Sequence, residues 1–210
     1  MIYYRLRAIS FRRCNGVTNT QAELSIKPFP TPAAFHKWLT THHAQSPGLW
    51  IRFYKKASHK KSITYAEALD IALCHGWIDG QLKPFDALSW LRKFTPRRPT
   101  SNWSKINTQH VARLIASGHM TPAGLAHITA AQADGRWTAA YDSQSNTAPP
   151  PDFLQLLAQN QKALAFYHTL TQANRYAITY RLQTAKKPET RARRLKLILD
   201  MLTNGKKFHP

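Results

Sequence analysis

Apolar positions along the chain change period several times, and each change marks an element. After Thr31-Pro32, Phe35, Trp38, Leu39 and His42 recur at three- and four-residue intervals. That spacing predicts a helix over about 32–43, with Pro at the first position, where its missing N–H costs nothing. Pro47-Gly48 ends it, and Leu49, Ile51 and Phe53 then alternate with Trp50, Arg52 and Tyr54, the two-residue period of a strand over 49–55. Lys55 to Lys61 reads as an exposed turn. Thr64 followed three residues later by Glu67 is a capping box, so a helix is expected over 65–75, stopped by Gly76. Residues 77–82 and 88–95 read as two short strands joined through Pro84-Phe85-Asp86, completing a small antiparallel sheet. From Ser101, read as a cap, the pattern turns helical, with Asn107, Val111, Leu114 and Ile115 on one stripe and Gly118 as the exit. Thr121-Pro122 opens another helix, closed by Gly135. Three more are expected near 153–170, 172–184 and 188–203, the first capped by Asp152.

The pattern predicts an α+β fold, a small antiparallel sheet packed with helices and followed by a helical C-terminal region. Residues 1–27 lack periodicity and read as a poorly ordered extension, unless the natural chain begins near Val17. Residues 28–142 form the expected core, 143–151 (SQSNTAPPP) a linker, and 152–210 the helical region. No apolar run approaches the roughly 20 residues of a membrane span, and no secretory signal follows the early arginines. Cys14 and Cys74 form no CxxC pair, which argues against a disulfide framework or zinc ribbon and makes a reducing cytoplasm the expected compartment.

Charge changes the picture more than composition does. Thirty Lys and Arg against ten Asp and Glu give a formal charge of +20, which favours anionic partners. The excess lies in two blocks, 33–117 and 149–210, around a near-neutral 118–148. The densest run, Lys186, Lys187, Arg191, Arg193, Arg194 and Lys196, opens the last predicted helix, where cations oppose the helix dipole. Its plainest reading is a solvated face.

Candidate chemistry is sparse. The histidines, among them His42-His43, His75, His110, His119 and His127, show no HExxH spacing, and no GxGxxG, GxxxxGK[ST] or GxSxG occurs, so neither a metal nor a cofactor is expected. Glu67 is accounted for by its capping role. Asp79, on a short strand between Trp77 and Gly80, needs a cationic partner if buried, and an antiparallel return brings Arg97 or Arg98 towards it. Two readings follow: a tie between sheet and loop, or a pocket in which Trp77 and Trp103 are flat walls and an arginine grips an anion. The segment after Arg98 supports the second, since Ser101 and Ser104 flank Trp103 at a predicted helix start, where free N–H groups favour negative charge. The expected function is a non-enzymatic binding protein for an anionic ligand or an acidic protein surface. The alternatives are a nucleic-acid-binding module using basic and aromatic surface, and an enzyme with Asp79 as acid or base and Arg97 as anion clamp, which lacks a nucleophile.

Five segments occur in order: SITYAEALDIALCHGWIDG (62–80), FTPRRPTSNWSKIN (94–107), GHMTPAGL (118–125), DGRW (134–137) and KPETRARRL (187–195). Together they resemble the YdeI/OmpD-associated family of bacterial proteins, described as bacteriocin-protection proteins, over about 35–203. The resemblance implies a small α+β unit with a helical tail and a role in bacteriocin protection or envelope-associated stress. It carries no catalytic residue list.

Overall fold

The computed structural model describes residues 23–142 and 148–209. Most of the expected extension and residues 143–147 of the expected linker lie outside them. The elements are β1 (Ile26–Pro28), α1 (Pro32–His42), β2 (Leu49–Tyr54), α2 (Tyr65–Cys74), β3 (Trp77–Asp86), β4 (Ser89–Pro96), α3 (Lys105–Ala116) and α4 (Pro122–Ala133), then α5 (Pro151–Ala158), α6 (Gln161–Thr169), α7 (Gln172–Gln183) and α8 (Pro188–Thr203). This is the α+β class read from the periodicity, with a helical C-terminal region. The sheet order is β1-β2-β4-β3, antiparallel except that β1 runs parallel to β2.

The register of β2 and β4 sorts their side chains onto two faces. Leu49 pairs with Phe94, Ile51 with Arg92 and Phe53 with Trp90 on the face that meets α1 and α2. There Phe35, Leu39, Ile51, Phe94 and Trp77 form the main core. The α2 helix has a second apolar side, where Leu73 and Cys74 pack with Trp103, Val111 and Ile128 of the α3–α4 layer. Gly124 sets that contact distance, because a Cβ there would lie 2.3 Å from the Cys74 carbonyl oxygen. The C-terminal helices enclose their own cluster around Phe153, Leu157, Ile178 and Leu202.

Several local expectations change. The sheet begins at Ile26, inside the stretch read as an extension; a three-residue edge strand is too short to show a period. β3 runs to Asp86 through Pro84, which an edge strand tolerates, with register shifts on either side. Ser104 caps α3, its Oγ accepting from Asn107 N–H at 3.2 Å, whereas the Ser101 Oγ accepts from Arg98 N–H at 3.0 Å and closes a turn. The helix expected over 153–170 is broken, because Asn160 caps α6 by accepting from Ala163 N–H at 3.1 Å. Asp152 is not the cap of α5; it stands in the first turn and pairs with Arg191 at 2.7 Å.

That pairing explains the basic run of α8. Arg191 also donates to the Leu182 carbonyl at 2.7 Å, and Arg194 donates to the Arg181 carbonyl at 2.5 Å. Cations unfavourable to their own helix start thus satisfy the last carbonyls of α7, where negative partial charge collects.

Candidate anion-binding site

Asp79 stands opposite Phe94 in the β3–β4 ladder, on the helix-covered face. On that face the nearest cation is Arg92, two residues along β4, and Arg92 Nε donates to Asp79 Oδ2 at 2.9 Å while Nη2 reaches the same oxygen. Tyr65 of α2 adds its hydroxyl to Oδ2 at 2.8 Å. Burial first, and then the Asp79 charge, push the Tyr65 phenol up to about 12. The tie expected with Arg97 or Arg98 does not form. Both lie beyond the last paired residue, Pro96; the Arg97 N–H still donates to the Gly76 carbonyl at 2.9 Å, so its backbone stays beside the start of β3 while its side chain is drawn to Trp103 and the Asn102 carbonyl.

Arg97 is instead 5% exposed, its guanidinium 3.7 Å from the Trp103 ring centroid and donating to the Asn102 carbonyl at 2.7 Å. Burial lowers it to about 10. Arg136, equally buried, donates to the Ser101 carbonyl at 3.0 Å and pairs with Asp134 at 2.6 Å. The two arginines hold the 101–102 backbone against Trp103. Trp77 and Trp103 are each 1% exposed and sit in different core clusters, Trp77 donating its indole N–H to the His43 carbonyl at 3.0 Å. The structure therefore brings Asp79 together with Arg92 and Tyr65, and Arg97 with Trp103, but does not assemble the seven sequence candidates into one pocket. The acid–base reading loses its geometry too, since Asp79 is occupied and Arg97 faces elsewhere. Of those candidates Arg98 alone is exposed, and it lines a cavity of about 530 Å³ with Lys93, Gly80 and Gln81.

The strongest concentration of unpaired charge lies in the turn between β2 and α2. A cavity of about 520 Å³ is lined by Lys55, Lys56, Lys60 and Lys61 together with Tyr65 and Trp90, with no carboxylate in its wall. Lys55 Nζ is engaged by the Ala87 carbonyl at 3.0 Å, and Lys60 Nζ lies 5.4 Å from the Tyr54 ring centroid. His59, in the left-handed region at φ 54°, reverses the chain so that Lys60 and Lys61 return along the cavity. Trp90 is held by stacking on Phe53, at 4.5 Å between centroids. Sequence reasoning passed over this turn because a lysine run between elements reads as solvated; the signal was the pairing of that run with Tyr65, four positions after Lys61, and with Trp90, 29–35 positions further along the chain.

A smaller cavity, about 190 Å³, shares Tyr54 and Lys60 with it and continues to Arg52, Asp86 and Leu88. It leads onto the sheet face opposite α1 and α2. There Lys83 Nζ lies 4.4 Å from the Trp50 ring centroid, and the Arg52 guanidinium lies 4.8 Å from both the Tyr54 and Phe85 rings. β2 and β3 are separated by β4, so the Lys83–Trp50 and Arg52–Phe85 pairs reach across that strand. Leu91 of β4, on the same face as Arg52 and Lys83 by register, is 0% exposed beneath them.

Among the described residues no group of three or more His, Cys, Asp or Glu is arranged to hold a metal ion, and no helix is long and apolar enough to cross a membrane. Residues 27–127 match a family model described as a domain of unknown function, DUF8412. Residues 146–205 match the family described as bacteriocin-protection, YdeI or OmpD-associated. No curated protein and no solved structure matches the chain. Neither family match reaches half of the chain. The likeness to the bacteriocin-protection family is thus placed on the C-terminal helices, where KPETRARRL lies, rather than over 35–203; three of the other four segments fall inside the first match.

Proposed function

We propose that the chain works by binding rather than by turnover, and that its ligand is an anion bearing a flat ring, held in the lysine-walled cavity between β2 and α2. The observation that carries this reading is the wall itself: four lysines without a carboxylate, in one lining with Trp90 and Tyr65. Cations left without acids in a concave site favour a multiply charged anion, and an aromatic wall adds apolar contact for a planar group. The hydroxyls of Ser62 and Thr64 line the same cavity and supply neutral hydrogen bonds. Bacteriocin protection, named by the C-terminal match, is proposed to run through such binding; within that region the bidentate Arg191–Asp152 pair ties α5 to α8.

Isothermal titration with adenosine monophosphate, adenosine and inorganic phosphate tests the reading. The nucleotide should bind at least tenfold more tightly than either part alone, and it should raise the melting temperature in proportion to its affinity. Lys60→Ala with Lys61→Ala should abolish the difference, while Lys206→Ala with Lys207→Ala, far along the chain, should not. Equal losses in both pairs, or no nucleotide binding by the unaltered protein, would overturn it.

A further inference from the structure

Resting on the anion-binding reading above, we propose that the lysine cavity is one end of a track for single-stranded nucleic acid, which crosses the open face of the sheet and ends at Arg98. Three cavities mark the path. The lysine cavity and the smaller one share Tyr54 and Lys60, and at the far end of β4 lies the third, with Lys93 and Arg98 in its wall. Lys93 pairs in register with Trp50, so the ring and the third cavity are neighbours on the same face. Across all three walls the one carboxylate is Asp86, and Arg52 already pairs with it at 2.6 Å.

The alternation of cation and ring along this path selects the partner. Phosphates along a single strand need a row of cations, and its unpaired bases need flat apolar surfaces between them; a duplex hides its base faces and an acidic peptide supplies none. The rings are present at Trp50, Tyr54 and Phe85, and Phe85 is 46% exposed. In the free protein Lys83 lies over Trp50 and Arg52 over Tyr54 and Phe85. Lys83 holds a position a strand would use: a phosphate draws its charged head outward and a base takes its place on Trp50, while Arg52, held by Asp86 and Ser89, keeps the Tyr54 and Phe85 rings in place as stacking surfaces. The six residues of β2 span roughly 20 Å, which with the two end cavities suits a site of about 4 to 6 nucleotides.

Fluorescence anisotropy with labelled dT10, a duplex of the same length, polyphosphate of similar charge and anionic phosphatidylglycerol vesicles decides between the sources of negative charge. The unaltered protein should prefer dT10 to the duplex and to polyphosphate by at least tenfold, with affinity falling steeply as salt rises. Trp50→Leu with Phe85→Leu should weaken dT10 at least tenfold while leaving adenosine monophosphate in the lysine cavity unaffected. Phe85→Leu alone, at an exposed position, keeps the test open if the pair unfolds. Arg98→Ala should weaken dT10 several-fold and dT4 far less. Equal binding of dT10 and polyphosphate, preference for vesicles, or indifference of dT10 to loss of the rings would overturn the track. Nucleotide binding that survives with no dT10 binding removes the track and leaves the cavity; failure of both removes the cavity reading as well.

Discussion

The Asp79 carboxylate takes Arg92 as its partner because residues opposite one another in a hairpin share a face, and positions two apart along a strand share it too. The pair is partly buried, at 13% and 24% side-chain exposure, so its worth lies between a surface ion pair and a buried one. Asp79→Asn should cost about 2 kcal/mol, coupled to Arg92→Met in a urea-denaturation double-mutant cycle and additive with Arg97→Lys. Tyr65 shares the cluster, and the sign of its effect follows from its raised value. A phenol whose folded pKa of about 12 exceeds its unfolded 10 lends stability that is complete below pH 10 and lost as pH rises towards 12. Tyr65→Phe should flatten that alkaline loss. The opposite window belongs to His75, 4% exposed, which burial and then His36 and His43 hold down at about 4. Its unfolded form takes a proton that the folded form refuses, so stability is full above pH 6.5 and falls as pH drops from there through 4. The loss reaches up to about 3 kcal/mol, and His75→Gln should blunt it in melts taken across that range. The identity of the acid as a buried, paired group was legible in the Trp77 to Gly80 context; its partner was not, because choosing among Arg92, Arg97 and Arg98 requires the register, and no local pattern contains it.

Elements were legible where a period persisted for several turns or met a cap with a defined spacing. The capping box of α2 has Thr64 Oγ1 accepting from Glu67 N–H at 3.3 Å and Glu67 Oε2 accepting from Thr64 N–H at 2.8 Å. Thr31, Thr121 and Thr171 likewise cap α1, α4 and α7. Where two cap residues competed, as at Ser101 and Ser104, or where the apolar stripe ran on through a break, as at Asn160, sequence alone did not separate the alternatives. Asn160→Ala should cost about 1 kcal/mol and fuse no helix, because α5 and α6 each pack against α8 and against one another. A larger effect is expected at the α5–α8 clamp. Arg191→Ala removes a forked pair with Asp152 and a bond to the Leu182 carbonyl, and hydrogen exchange should quicken at the start of α5 and the end of α7 together while the sheet stays protected.

At the scale of the whole molecule, the ten acids are largely spent. Asp70, Asp79, Asp86, Asp134, Asp142 and Asp152 each pair with Arg or Lys, and Glu67 caps a helix. Among the described residues most Lys and Arg therefore have no carboxylate partner and repel one another. Multivalent anions should raise the melting temperature at millimolar concentration, whereas chloride needs far more, and a scan in sulfate against chloride at equal ionic strength checks this. Buried between these charged surfaces, Cys74 is 5% exposed, its thiol pushed up to about 11 by burial, and its carbonyl lies against Gly124 and Thr121. Such a sulfur, though it lines a cavity of about 540 Å³ with Ile71 and Leu114, is slow to meet alkylating reagents while α2, α3 and α4 stay together, since the attacking species is an exposed thiolate. With Cys14→Ser to remove the other thiol, the labelling rate of this one atom becomes a clock for the parting of those helices, and it keeps time whether or not the C-terminal helices have moved.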